Sequence, residues 1–145
     1  MLRPKNNMGS INNPKYIIVH SSASPQRGNT ARDVHSWHLE KGWDGIGYHF
    51  IVSDDGMIEV GRPWYWSGAH CPEYNNNSIG VMRFGNSKED FNEQQKDGLL
   101  ALVKGLMTQF NIPKEKVLGH YETESGSKQG KTCPDIDMEW FRTLL

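Results

Sequence analysis

No stretch of this chain is long and apolar enough to cross a bilayer, and Met1 to Asn13 lack the apolar core that a secretory signal needs. Read alone, that predicts a protein made in the cytoplasm without a signal peptide and without a membrane partner. Cysteine is scarce, with Cys71 and Cys133 the only two. A reducing compartment leaves both as thiols, while the sequence leaves a bridge between them open. Neither sign of charge predominates: the net charge is -1, and Lys and Arg are scattered with no basic stripe, which argues against a nucleic-acid partner. C-x-x-C and H-E-x-x-H signatures are absent, as are internal repeats and low-complexity segments. No pair of acidic residues stands out as the two carboxylates of a glycosidase.

What remains is the composition of a folded protein, 36% apolar and 10% aromatic in 145 residues, enough for one domain with a continuous core. Residues 1–13 read as a polar segment expected to be mobile, and residues 14–145 as the domain; a monomer is expected. Tyr16-Ile17-Ile18-Val19 predicts a buried strand that ends in His20. Thr30 caps a helix from Ala31 to Lys41, closed by Gly42. Gly47 to Ser53 alternates, which predicts Tyr48, Phe50 and Val52 on one strand face and His49 and Ile51 on the other. Asp54-Asp55-Gly56 turns that strand onto Met57 to Val60, and Ser78 to Phe84 supplies another. Asn92 with Gln95 predicts a capping box opening a helix that runs to Phe110, with Leu99, Leu102, Val103 and Leu106 on its apolar stripe. A loop over Tyr121 to Gly130 and a closing helix over Asp137 to Leu145 complete the chain. Interspersed strands and helices predict an α/β fold, a single domain with a mixed central β-sheet flanked by helices.

Three residues carry the chemistry. His20 ends the first strand, His120 directly follows Val117-Leu118-Gly119, and Cys133 sits in Lys131-Thr132-Cys133-Pro134. Two imidazoles and a thiolate suit zinc, and three protein ligands leave a fourth position for water, the mark of a catalytic site. Spacing alone does not establish such a site, because a histidine at a strand end is more often an ordinary hydrogen-bonded residue.

The surrounding segments do more. Ile17 to Ala23, Trp37-His38 with Gly42-Trp43, Ile46-Gly47-Tyr48-His49-Phe50, Gly68-Ala69-His70, Asn77 to Val81, Gly119-His120 and Lys131 to Pro134 appear in order. In these the chain resembles the zinc-dependent N-acetylmuramoyl-L-alanine amidases of type 2, especially the short phage lysozymes of the T-seven kind, and the related peptidoglycan recognition proteins. The resemblance implies that fold, with residues 14–145 as the amidase catalytic domain. It implies one Zn2+ per chain held by His20, His120 and Cys133, with Tyr48 and Lys131 at the reaction centre. It implies an endolysin whose partner is peptidoglycan and whose reaction cleaves the amide between N-acetylmuramic acid and L-alanine with zinc-activated water. Such an enzyme acts on the bacterial wall after release from the host cytoplasm, if phage-encoded.

The other histidines and tryptophans receive plainer readings. His35 and His38 are expected to be helix-surface and packing residues, and His49 a buried, hydrogen-bonded one. Trp37 and Trp43 are expected to be structural. His70, in the loop that resembles the family's groove wall, and Trp66, at its rim, are candidate substrate contacts. Two other functions compete within the resemblance: a non-catalytic recognition module, whose members typically lack the cysteine ligand, and a cytoplasmic muropeptide-recycling amidase. A zinc-stabilised interaction domain is the third, and it requires four protein ligands.

Overall fold

The computed structural model describes residues 10–145. Among them a five-stranded sheet runs in the order β3-β2-β4-β1-β5, where β1 is Tyr16–Ser21, β2 Phe50–Val52, β3 Ile58–Val60, β4 Ser78–Arg83 and β5 Val117–Gly119. β1 is parallel to both β4 and β5, β2 is parallel to β4, and only β3 runs against its neighbour. The sheet is therefore mixed, as the order of elements predicts.

Period-two alternation assigns each side of the sheet its cover. Ile17 and Val19 of β1, Ile79 and Val81 of β4 and Val52 of β2 pack with Leu99, Val103 and Leu106 of α2 (Glu93–Phe110). Met138 and Phe141 of the short closing helix Met138–Arg142 join the same cluster. On the opposite side Ile51 and Met82 meet Ala31 and Val34 of α1 (Ala31–Glu40), together with Ile46 and Phe84. His20 has the parity of Ile18, opposite to that of Ile17 and Val19, so it leaves the carboxyl end of β1, an interior strand, away from α2. In parallel sheets this end is where ligands bind.

Four local expectations are corrected. Tyr48 packs with the cluster that holds Ile51, whereas Phe50 and Val52 belong to the other side. Regular strand geometry begins only at Phe50, so side-chain parity does not carry back to Tyr48. The loop expected over Tyr121 to Gly130 contains a short helix, Glu124–Lys128, capped by Thr123, whose side chain accepts the Gly126 N–H. Asn92 caps α2 by accepting the Gln95 N–H at 2.8 Å, yet the return half of the box is not made. The Gln95 side chain instead donates to the Ser53 and Phe84 carbonyls and is fully buried. The closing helix spans Met138–Arg142, shorter than expected.

Of the segment expected to be mobile, residues 1–9 lie outside the described residues, while 10–13 are pinned. Ile11 bridges Trp66, and the Asn12 amide donates to the Trp64 carbonyl at 2.7 Å and the Ser78 carbonyl at 2.8 Å. Cys71 and Cys133 are both free thiols. Because Leu99 is fully enclosed between α2 and the sheet, Leu99→Ala is expected to cost about 2–5 kcal/mol in a denaturant melt. A loss under about 1 kcal/mol would show that α2 does not seal this side as described.

Candidate functional site

The register of two strands brings the first two candidates together. Val19 of β1 pairs with Gly119 of β5, so His20 and His120 emerge side by side, their ring centroids 4.5 Å apart. Cys133 approaches from a segment without regular structure, and its sulfur accepts the Ser21 N–H at 2.9 Å. One ligand atom from each of His20, His120 and Cys133 lies within 4.8 Å of the others. Sequence reasoning named all three.

A chain of hydrogen bonds sets the His20 tautomer. The Ser78 hydroxyl donates to the Tyr74 carbonyl at 2.7 Å, so at 3.2 Å its oxygen accepts from His70 Nε2. His70 Nδ1 is then an acceptor, and His20 Nε2 donates to it at 2.9 Å. The Nδ1 lone pair of His20 is left for a ligand. His70 thus stands behind a candidate ligand and orients it, the arrangement that commonly supports metal-binding histidines. Gly80 makes the room: a Cβ there would lie 2.6 Å from the His70 ring.

Electrostatics favour the same states. Burial, then the neighbouring His120, lowers the His20 pKa well below the ordinary value. Burial and the Lys131 ammonium lower that of His120. Both imidazoles are therefore neutral near pH 7, as ligation requires. Burial raises the Cys133 thiol while the Ser21 N–H opposes it, and a bound cation would favour the thiolate. Donor types, neutral imidazoles and mutual proximity fit a metal ion such as zinc.

Tyr48 packs its ring 5.1 Å from that of His20. Its hydroxyl is protonated at neutral pH, as in any ordinary tyrosine, and burial, reinforced by Cys133, raises its pKa further, so it acts as a hydrogen-bond donor and not as a base. Lys131 shares with His70 and His120 a cavity of about 420 Å³, and of the three candidate ligands it is His120 that lines it. Trp66 is not among the residues described as lining it; its carbonyl instead accepts from His49 Nε2 at 2.8 Å.

Sequence reasoning missed two aromatic walls. Trp43, 38% exposed, lines the larger cavity, and Trp37 lines a smaller one of about 130 Å³ that also touches Tyr48 and His38. Their exposure depends on how α1 and the following turn sit over the sheet; only the clustering of Trp37, Lys41 and Trp43 in sequence hinted at it. His38 is also more than packing. Its Nδ1 accepts the Gly47 N–H at 2.9 Å while His35 Nδ1 accepts the Ile46 N–H at 3.0 Å, so α1 holds the backbone that leads into Tyr48. His49 is buried and bonded as expected: Nδ1 accepts the Gly80 N–H at 2.9 Å.

Residues 10–136 match the family described as N-acetylmuramoyl-L-alanine amidase. The chain belongs to this family. An endolysin of Escherichia phage T7 is 33% identical over 85% of this chain and 82% of its own. The N-acetylmuramoyl-L-alanine amidase LysC from Clostridium intestinale superposes with a TM-score of 0.86 at 28% identity, covering 99% of this amidase and 92% of its own chain. Drosophila PGRP-LB superposes at 0.76 with 31% identity, covering 92% and 81% respectively.

The buried histidines of the amidase generate a pH dependence. Burial lowers His38, with Lys41 and Arg62 adding to it, and lowers His49, each from 6.5 to about 4. The unfolded chain binds more protons than the fold between those values, so their contribution is complete above pH 6.5 and is lost as pH falls through about 4. Urea melts of the metal-free protein are expected to lose up to about 3 kcal/mol per histidine over that range. His49→Gln should flatten the slope, and an unchanged slope would remove His49 from the account.

Proposed function

We propose that this amidase is an endolysin that hydrolyses the amide joining the lactyl group of N-acetylmuramic acid to the L-alanine of the stem peptide, using zinc held by His20, His120 and Cys133. The convergence of these three side chains, one of which, His120, also lines a cavity, carries the reading. A zinc ion bound there supplies a Lewis acid that polarises the scissile carbonyl and lowers the pKa of water to about 7.

The chain's own groups act around that centre. His70 holds the His20 ring so that Nδ1 faces the ligand position. Tyr48, protonated at neutral pH and moved further from ionising by burial, donates its hydroxyl proton in a hydrogen bond to the carbonyl oxygen as negative charge develops there. Lys131, exposed at the cavity wall, adds a positive charge on that side. Water adds to the carbonyl, the carbon–nitrogen bond breaks, and the alanine nitrogen leaves as the amine once it gains a proton. The carboxyl group stays on the sugar. Trp43 and Trp37 offer faces to the muramyl peptide, and the Trp66 carbonyl fixes His49.

A monomer acting on the wall, with no nucleic-acid or membrane partner, agrees with this reading. Among the described residues no helix is long and apolar enough to cross a membrane.

Peptidoglycan turbidity should fall in the presence of the enzyme and stop falling with a chelator, with new L-alanine amino ends and no new reducing sugars. New reducing ends would sink the amide assignment. Cys133→Ser is expected to lose both metal retention and activity. Tyr48→Phe is expected to keep the metal and slow turnover by about 10²-fold or more; a full rate in that variant would remove Tyr48 from the chemistry.

A further inference from the structure

Arg83, the last residue of β4, is completely buried, and its guanidinium is committed in several directions. Nη1 meets Asp90 at 2.6 Å and the Gln95 side-chain oxygen at 3.2 Å, while Nη2 donates to the Ser87 carbonyl at 2.7 Å. The remaining donors leave that neighbourhood. Nε donates to the Pro134 carbonyl at 3.0 Å and Nη2 to the Asp135 carbonyl at 3.4 Å, the two peptide groups that follow Cys133.

The Cys133 segment has no helix or strand to hold it, since residues 131–136 belong to neither. Its other anchors are Tyr121, whose N–H donates to the Cys133 carbonyl at 2.9 Å, and Ser21, whose N–H meets the Cys133 sulfur and whose hydroxyl donates to Asp135 Oδ2 at 2.9 Å. Ser21 is also the strand partner of Arg83. Two adjacent residues of the sheet therefore grip the same short segment, one at the thiol and its following side chain, the other at its backbone carbonyls. A planar fork is needed for this, because the carbonyls lie on one side of the guanidinium and Asp90 with Ser87 on another; a lysine reaches only one group at a time.

We infer that Arg83 is a positioning residue for the metal centre: it fixes the Cys133 loop so that the thiol meets His20 and His120 in the geometry zinc requires. The inference rests on the reading of those three residues as zinc ligands. Outer-shell contacts of this kind are typically worth about 10–100-fold in metal affinity. A purely structural role for Arg83 would lower stability and leave affinity alone.

The test is a zinc competition titration against a chromophoric chelator on the full chain, run beside urea melts. Arg83→Lys keeps a cation for Asp90 and loses the fork; Arg83→Met loses both. Leu106→Ala, in the α2 core, serves as a stability-matched control. Both Arg83 variants are expected to bind zinc about 10–100-fold more weakly, and Leu106→Ala to bind as the wild type does. Labelling of Cys133 by a thiol reagent in the metal-free Arg83→Lys protein should also be faster. Affinity within about twofold of wild type in Arg83→Lys would overturn the inference, as would an equal loss in Leu106→Ala. If Arg83→Met does not fold, Arg83→Lys decides alone. Should the wild type bind no zinc, or Cys133→Ser retain it, the ligand reading itself fails first and takes this inference with it.

Discussion

The parallel pairing of β1 with β5 is the constraint on which the site depends. With Val19 opposite Gly119, the next residue of each strand is a histidine, and both emerge at the same sheet end. A register slip of one residue would send His20 to the α2 side of the sheet and out of reach of His120. That register is held by burial on both sides. Ile17 and Val19 are enclosed by α2 and the closing helix, while Ile18 is buried on the opposite side. β1 also pairs along its whole length with β4, so its position is fixed from both edges.

The remaining parts are delivered by groups that have no strand of their own. His70 reaches His20 from a loop and is held by Ser78 at the start of β4. Tyr48 precedes β2 and owes its place to His35 and His38, which take up the backbone N–H groups just before it. Cys133 is gripped through Ser21 and Arg83. In each case a buried polar contact substitutes for regular secondary structure. Such contacts are directional and costly to break, which makes them suited to setting a side chain to within tenths of an ångström. The same burial that strengthens them keeps the histidines neutral and moves Tyr48 further from ionising, so the order of the site and its electrostatics share one cause.

Much of the fold was legible in the chain. The apolar run before His20, the capping residues Thr30 and Asn92, and the Asp54-Asp55-Gly56 turn all lie where the structure uses them. Local pattern failed where tertiary demands took over. Gln95 looked like half of a capping box, but the core recruits its side chain for the Ser53 and Phe84 carbonyls and for Arg83. Tyr48 looked like a member of an alternating strand, yet the residues before Phe50 follow the contacts of α1 and not the pleat. Trp37 and Trp43 looked structural and also line cavities, while Trp66, read as a rim contact, additionally holds His49 through its backbone carbonyl.

By itself the sequence determined the donor types: two histidines after apolar strands and a cysteine before a proline, with the ordered segments that place them in a family. Donor chemistry is a property of single residues, and strand burial a property of short runs, so both can be read locally. Only the tertiary structure decided which nitrogen of His20 is free, that burial moves Tyr48 further from ionising, and that a buried arginine distant in sequence holds the Cys133 loop. Each of these follows from the dielectric and hydrogen-bond partners assembled when distant segments pack together, and no local pattern encodes them.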